Sequence, residues 1–174
     1  MNNDQLELSR HCKICNNLDF DVSYGSRCSL TSQKPNFVNK CSEIEFGDNA
    51  KKYITEISVE KKLVEKSKFD YLGTFVIYLL ISLFFIIGGI LLSKYLFGFG
   101  VFHTVTLVLV GVGVIVLPKA FGALNMYNAK NNVASEKIKN LENTLNIYNK
   151  KYSIDLNINE IHGINEVKSN VKIY

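Results

Sequence analysis

Hydrophobic positions along this chain fall into two unbroken blocks and one periodic stripe. Tyr71 to Ser93 carries no charged side chain, and Phe99 to Leu117 is again uncharged. Each block approaches the roughly twenty residues an α-helix needs to cross about 30 Å of hydrocarbon. A backbone in lipid must satisfy its own hydrogen bonds, so each block is expected to be a helix. The link Lys94–Gly98 is too short to leave and re-enter a bilayer, so the spans, about 71–93 and 99–117, form a tight hairpin over 71–118. Both termini then lie on one side.

Beyond the hairpin, residues 119–152 read as a cytoplasmic amphipathic helix. Ile138, Leu141, Leu145, Tyr148 and Tyr152 recur at alternating spacings of three and four, the seam of a helix able to self-associate. Traced backwards, the stripe passes through Ala134, Asn131, Tyr127, Leu124, Ala120 and Leu117, then enters the apolar block as Gly113, Val110, Thr106 and His103. Leu124, Tyr127, Ile138, Leu141, Leu145 and Tyr148 are therefore the expected seam of a homo-oligomer. His103, Thr106, Val110 and Gly113 are candidates for pore lining or helix packing; His103 also suits an interfacial position near the turn. Pro118 should kink the helix at the membrane exit.

Ahead of the hairpin, residues 48–70 read as a linker or amphipathic helix. Asp48 or Asn49 would cap it, with Ala50, Tyr53, Ile54, Ile57 and Val64 on one side. The alternation of Tyr53, Thr55, Ile57 and Val59 also fits a short strand. In the tail, 153–174, Ile154, Leu156 and Ile158 alternate as in a strand, and Val167, Val171 and Ile173 suit a second. A helix capped by Asp155 is the competing form.

Charge decides orientation. Lys61, Lys62, Lys66 and Lys68 precede the first block, Lys119 and Lys130 follow the second, and the turn offers only Lys94. The positive-inside bias then puts both termini in the cytoplasm of a bacterial inner membrane. The first block begins too far into the chain and is too long for a signal-peptide core. The net charge of +4 is spread over the polar segments without a basic, aromatic-interleaved stripe, so no nucleic-acid partner is expected. Gly-rich phosphate loops, G-x-S-x-G elbows and H-E-x-x-H motifs are absent, and His11, His103 and His162 are scattered. Enzymatic activity is not expected.

The first 47 residues hold all four cysteines, Cys12, Cys15, Cys28 and Cys41, as C-x2-C-x12-C-x12-C. A C-x2-C pair sets two thiolates on one turn, suited to tetrahedral Zn²⁺ completed by two later ligands. A reducing cytoplasm favours metal ligation over disulfides, though disulfides under reversed topology and free thiols are alternatives. Four thiolates leave no open position, so the zinc would be structural. His11 is expected to be a solvated neighbour. Segments this short, about seventy residues before the hairpin, need such a staple.

Residues 12–46, with C-x2-C, then Cys28-x-Leu30-Thr31, Pro35-x-Phe37 and a last Cys41 before Glu43-Ile44-Glu45-Phe46, resemble a Cys-rich module of small Bacteroidetes-type bacterial proteins. That resemblance implies a metal-stapled module. The arrangement over Asp48 to Tyr152 resembles the SLATT class of two-span proteins: a short leading helix, a hairpin and a long cytoplasmic helix. It implies a pore-forming or membrane-perturbing effector in a bacterial defence system. The layout is also similar to small membrane proteins that accompany RNA-targeting CRISPR effectors, some with an Arg-x4–6-His ribonuclease motif. Neither Arg10 nor Arg27 has a histidine at that distance, so no nuclease is expected.

The expected fold is a mainly α membrane protein: a two-span helical hairpin, a small N-terminal zinc-stapled module and a cytoplasmic C-terminal helix. Its partners would be the lipid bilayer, further copies of itself, or a cytoplasmic protein docked on the zinc module.

Overall fold

A computed structural model describes residues 3–21, 25–95, 104–161 and 164–174. In chain order the elements are α1 (Asn3–Lys13), β1 (Leu18–Asp21), β2 (Gly25–Cys28), α2 (Asp48–Lys66), α3 (Lys68–Tyr95), α4 (Thr104–Ile147), β3 (Tyr152–Ile161) and β4 (Ile164–Ile173). Helix dominates. The chain divides into two compact units, Met1–Lys62 with Val133–Tyr174, and Leu63–Asn132.

The first unit is assembled from both flanks of the apolar hairpin. α2 begins at Asp48, and its apolar residues Ala50, Ile54 and Ile57 are spaced to share one face. All three are buried, and they meet Ile14 from the N-terminal segment and Leu141 and Leu145 from α4 in one core. Ile138, Phe46, Tyr152, Ile154, Val171 and Ile173 pack against that core, so segments on both sides of the hairpin contribute. Full burial of a Leu or Ile side chain stabilises by about 1.5–3 kcal/mol, which is why these separated segments close on one another. Polar pairs fix the pairing of α2 with α4: Lys137 Nζ contacts both Glu60 carboxylate oxygens at 2.7 Å, and Lys61 donates to Ser135 at 2.8 Å.

Residues from the segments read as 1–47, 48–70, 119–152 and 153–174 meet in one core: Ile14, then Ala50, Ile54 and Ile57 of α2 and Leu141 and Leu145 of α4, with Tyr152, Ile154, Val171 and Ile173 of the tail packed against them. Of the stripe read as an oligomer seam, Leu141 and Leu145 are buried within the chain, while Leu124, Tyr127, Ile138 and Tyr148 are half-buried. Leu141 and Leu145 are 3% and 1% exposed, Ile138 packs beside them, and Tyr148 is bonded to the cysteine-bearing segment. An amphipathic stripe specifies that a face will be covered. It does not name the cover.

The tail resolves as a hairpin rather than a helix. β3 and β4 pair antiparallel from Tyr152↔Ile173 to Ile161↔Ile164. Tyr152, Ile154, Val171 and Ile173 point to the core while Ser153, Asp155 and Lys172 are exposed, the two-residue alternation of a half-buried ribbon. His162 and Gly163 lie outside the described residues.

The second unit contains α3 and the first part of α4, two helices long and apolar enough to cross a membrane. They run antiparallel: the tilted rings of Tyr71 and Tyr127 have centroids 6.0 Å apart, Phe75 meets Phe121 edge-on at 5.9 Å, and Ser82 Oγ donates to the Gly113 carbonyl at 2.7 Å. Small residues permit this approach. A Cβ on Gly113 would stand 2.6 Å from Ile86 Cγ1 and 2.9 Å from the Ser82 carbonyl, and one on Gly89 would stand 3.0 Å from Leu109. Leu80, Phe84, Ile87, Leu107, Val108 and Ile115 are exposed, as side chains bathed in hydrocarbon would be.

Of the candidates for pore lining or packing, Val110 and Gly113 lie on the face that α3 fills, and Thr106 is buried. His103 lies outside the described residues. α4 also runs through Pro118, and its buried positions Thr106, Gly113, Ala120, Ala134, Leu141 and Leu145 keep one phase across it. Proline removes a single backbone donor, and side chains packed on both sides of it hold the helix in register.

Candidate metal centre

All four cysteines border one cavity of about 310 Å³ in the first unit. Each reaches it from a different local device. Cys12 sits in the last turn of α1, and the Cys15 N–H returns to the Cys12 carbonyl at 3.0 Å, closing the C-x2-C turn. Ile14 between them is 1% exposed and anchors that turn in the core. Cys28 ends β2, and its carbonyl accepts from the Thr31 and Ser32 N–H groups at 3.3 and 2.7 Å. Ser32 takes the left-handed conformation, with φ of 56°, and so turns the chain back on itself. Cys41 comes two residues after Asn39, also left-handed at φ 63°.

The C-x2-C turn is fastened to the start of α2. Asn49 donates its side-chain amide to the Cys15 and Asn16 carbonyls at 3.2 and 3.3 Å, and its backbone N–H donates to Asn16 Oδ1 at 3.2 Å. The Asn16 N–H in turn donates to the Glu45 carbonyl at 2.9 Å. Asn49 therefore orients the turn as well as opening the helix.

His11 corrects a sequence expectation. It is 6% exposed, not solvated, and its ring stands edge-on to Phe37 and Tyr148 at centroid distances of 5.4 and 5.5 Å. Its Nδ1 lies 2.8 Å from the Tyr148 hydroxyl, whose oxygen accepts from the Cys41 N–H at 2.9 Å. Burial lowers the His11 pKa from its ordinary value, opposed by Glu7, so the neutral ring is favoured. A neutral ring can accept the phenol proton at Nδ1.

The four thiols are free. Burial and the proximity of Cys15, Cys41 and Cys28 push the Cys12 thiol up to about 11, so in the protein alone it stays protonated. Among the described residues, however, no group of three or more His, Cys, Asp or Glu side chains is arranged to hold a metal ion. The donor types suit a soft divalent cation, and the arrangement is a gathered one, not a closed tetrahedron.

Sequence reasoning picked out the cysteines and missed their supports. Tyr148 was visible only as a stripe position, and His11, Asn16 and Asn49 belong to residue types frequent in ordinary loops and caps. Their roles come from partners distant in the chain. No protein-family model matches this chain, and neither does any curated protein or solved structure.

Proposed function

We propose that this chain is a bacterial inner-membrane protein whose two-span hairpin anchors a zinc-stapled module that docks a cytoplasmic protein partner, with both termini cytoplasmic. The observation that carries the reading is the burial of Leu141 and Leu145 against Ile14, Ile54 and Ile57. The strongest apolar face outside the spans is covered within the chain, which supports a module completed by the two flanks. Lysine-rich flanks support a cytoplasmic location through the positive-inside bias. Four cysteines about one cavity support a structural zinc, whose charge would favour thiolates over the thiols of the metal-free protein.

A second reading is favoured by the order of elements. The leading helix α2, the hairpin of α3 and α4, and the long continuation of α4 follow the order that the resemblance to two-span effectors implies. Oligomers would then have to form through the outward faces of α3 and α4, not through the seam.

Mass measurement of the protein in detergent, paired with dye uptake by expressing cells, separates the two. The anchor reading expects a monomer and intact cells, and L141E/L145E should destabilise the protein without changing its mass. A wild-type oligomer with permeable cells would replace it with the effector reading.

A further inference from the structure

One phenol group joins the two ends of the cysteine set. Tyr148, just past the last turn of α4, accepts the Cys41 N–H at 2.9 Å and stands 2.8 Å from Nδ1 of His11, the chain neighbour of Cys12. The first and last of the four cysteines are therefore tied to one side chain from the far end of the sequence. The other two are held differently. Cys28 is fixed within its own segment, its N–H donating to the Gln33 carbonyl at 3.0 Å. Cys15 is held from α2, its carbonyl accepting from the Asn49 side chain at 3.2 Å.

Aromatic rings surround the hydroxyl. His11 meets Phe37 edge-on at 5.4 Å, and Phe46 meets Tyr148 edge-on at 5.5 Å. Phe37 and Phe46 flank Cys41 in the chain, so the stretch 37–46 is seated on His11 and Tyr148 at three points. His11 is buried, so solvent does not readily replace its bond to the phenol.

We infer that Tyr148 and His11 are positioning residues for the candidate metal centre, so that metal binding by the cysteines and the seating of residues 37–46 on the end of α4 are one linked equilibrium. The inference rests on the zinc reading above and adds to it a route by which metal in the N-terminal segment is felt by α4. The reason is geometric. A tetrahedral zinc needs its four sulfurs at about 2.3 Å from one point, and thiols gathered around a cavity must be drawn in to meet it. Groups that hold a ligand from behind spare it part of that search, and losing one typically costs about 10–100-fold in metal affinity. Linkage is reciprocal: whatever the phenol adds to metal affinity, the metal adds to the phenol's hold on Cys41.

The test uses full-length protein in detergent, reduced and stripped of metal. It is titrated with Co²⁺, whose thiolate absorption reports sulfur ligation, and then with Zn²⁺ in competition. Tyr148→Phe should weaken zinc binding by about 10–100-fold. Ile57→Ala opens the same core from α2 while leaving the hydroxyl in place, and should bind zinc much as wild type does. In the reciprocal measurement, zinc should slow amide exchange over residues 145–150 of wild type, and much less so in Tyr148→Phe.

A wild type without cobalt–thiolate absorption removes the zinc reading and this inference with it. A wild type that binds zinc no more tightly than Tyr148→Phe overturns this inference alone and leaves the zinc module. Equal weakening by Tyr148→Phe and Ile57→Ala also overturns it, since the loss would then come from a loosened core. Should Tyr148→Phe fail to fold, exchange in wild type decides: protection over 145–150 that ignores zinc overturns the link, and protection that rises with zinc upholds it.

Discussion

The backbone N–H of Cys41 donates to the phenolic oxygen of Tyr148 at 2.9 Å, joining residues more than a hundred positions apart. Cys41 closes the cysteine-bearing segment, and Tyr148 directly follows the last turn of α4. Through this bond, and through His11 on the same hydroxyl, the cavity wall is tied to the helix that forms the second apolar span.

Tyr148→Phe removes the hydroxyl while keeping the ring against His11 and Phe46. The Cys41 N–H and His11 Nδ1 then lose a partner in a half-buried setting, at a cost of about 1–3 kcal/mol. Denaturant unfolding should register that loss, and limited proteolysis should cut faster between residues 28 and 47. Wild-type behaviour in both assays would deny the link any structural weight.

Metal content tests the cysteines directly. The purified protein should hold about one zinc per chain, the stoichiometry of a single tetrahedral site. Cys12→Ser or Cys41→Ser should lose the metal, and chelation should make residues 12–46 protease-sensitive. Protein that is free of metal as isolated, with that segment equally resistant, would leave the cavity as a cluster of ordinary thiols.

In the core of the first unit, Leu145→Ala should cost about 2–5 kcal/mol, because Leu145 is among the most deeply buried side chains. Leu124→Ala, on the same stripe but only half-buried, should cost less. Thermal unfolding in detergent compares the two; equal small effects would mean that the stripe is not the core it resembles here.

The hairpin offers an internally controlled comparison between two glycines of one helix. Gly113→Ala drives a methyl into Ile86 and the Ser82 carbonyl and should destabilise the hairpin by about 1–3 kcal/mol. Gly111→Ala meets nothing within 4 Å and should be neutral or mildly stabilising. Unfolding in mixed micelles, followed by helicity, would rank them; matching effects would contradict the close approach of α3 and α4.

Much of this architecture was legible because it is local. Twenty uncharged residues in a row require no knowledge of distant partners to be read as a span, and α3 contains the predicted Tyr71–Ser93 whole. The three-and-four spacing likewise marked one face of α4, on which Thr106, Ala120, Ala134, Leu141 and Leu145 are buried. Burial of Ala50, Ile54 and Ile57 chose helix over strand for α2, where the short alternation Tyr53–Val59 had left both open.

What only the tertiary structure decided is which surface meets which. An apolar stripe lowers its free energy by leaving water, and that gain is the same against a second subunit or a segment of the same chain. The choice fell to Ile14, Ile54 and Ile57, which the first unit sets against Leu141 and Leu145. His11 lies buried because Phe37 and Tyr148 close over it, and Asn49 holds the C-x2-C turn because Asn16 stands beside it. The sequence by itself determined the spans, the helical face and the cysteine set. The pairing of distant segments determined what that face and those cysteines touch, since contact free energies depend on neighbours that periodicity does not encode.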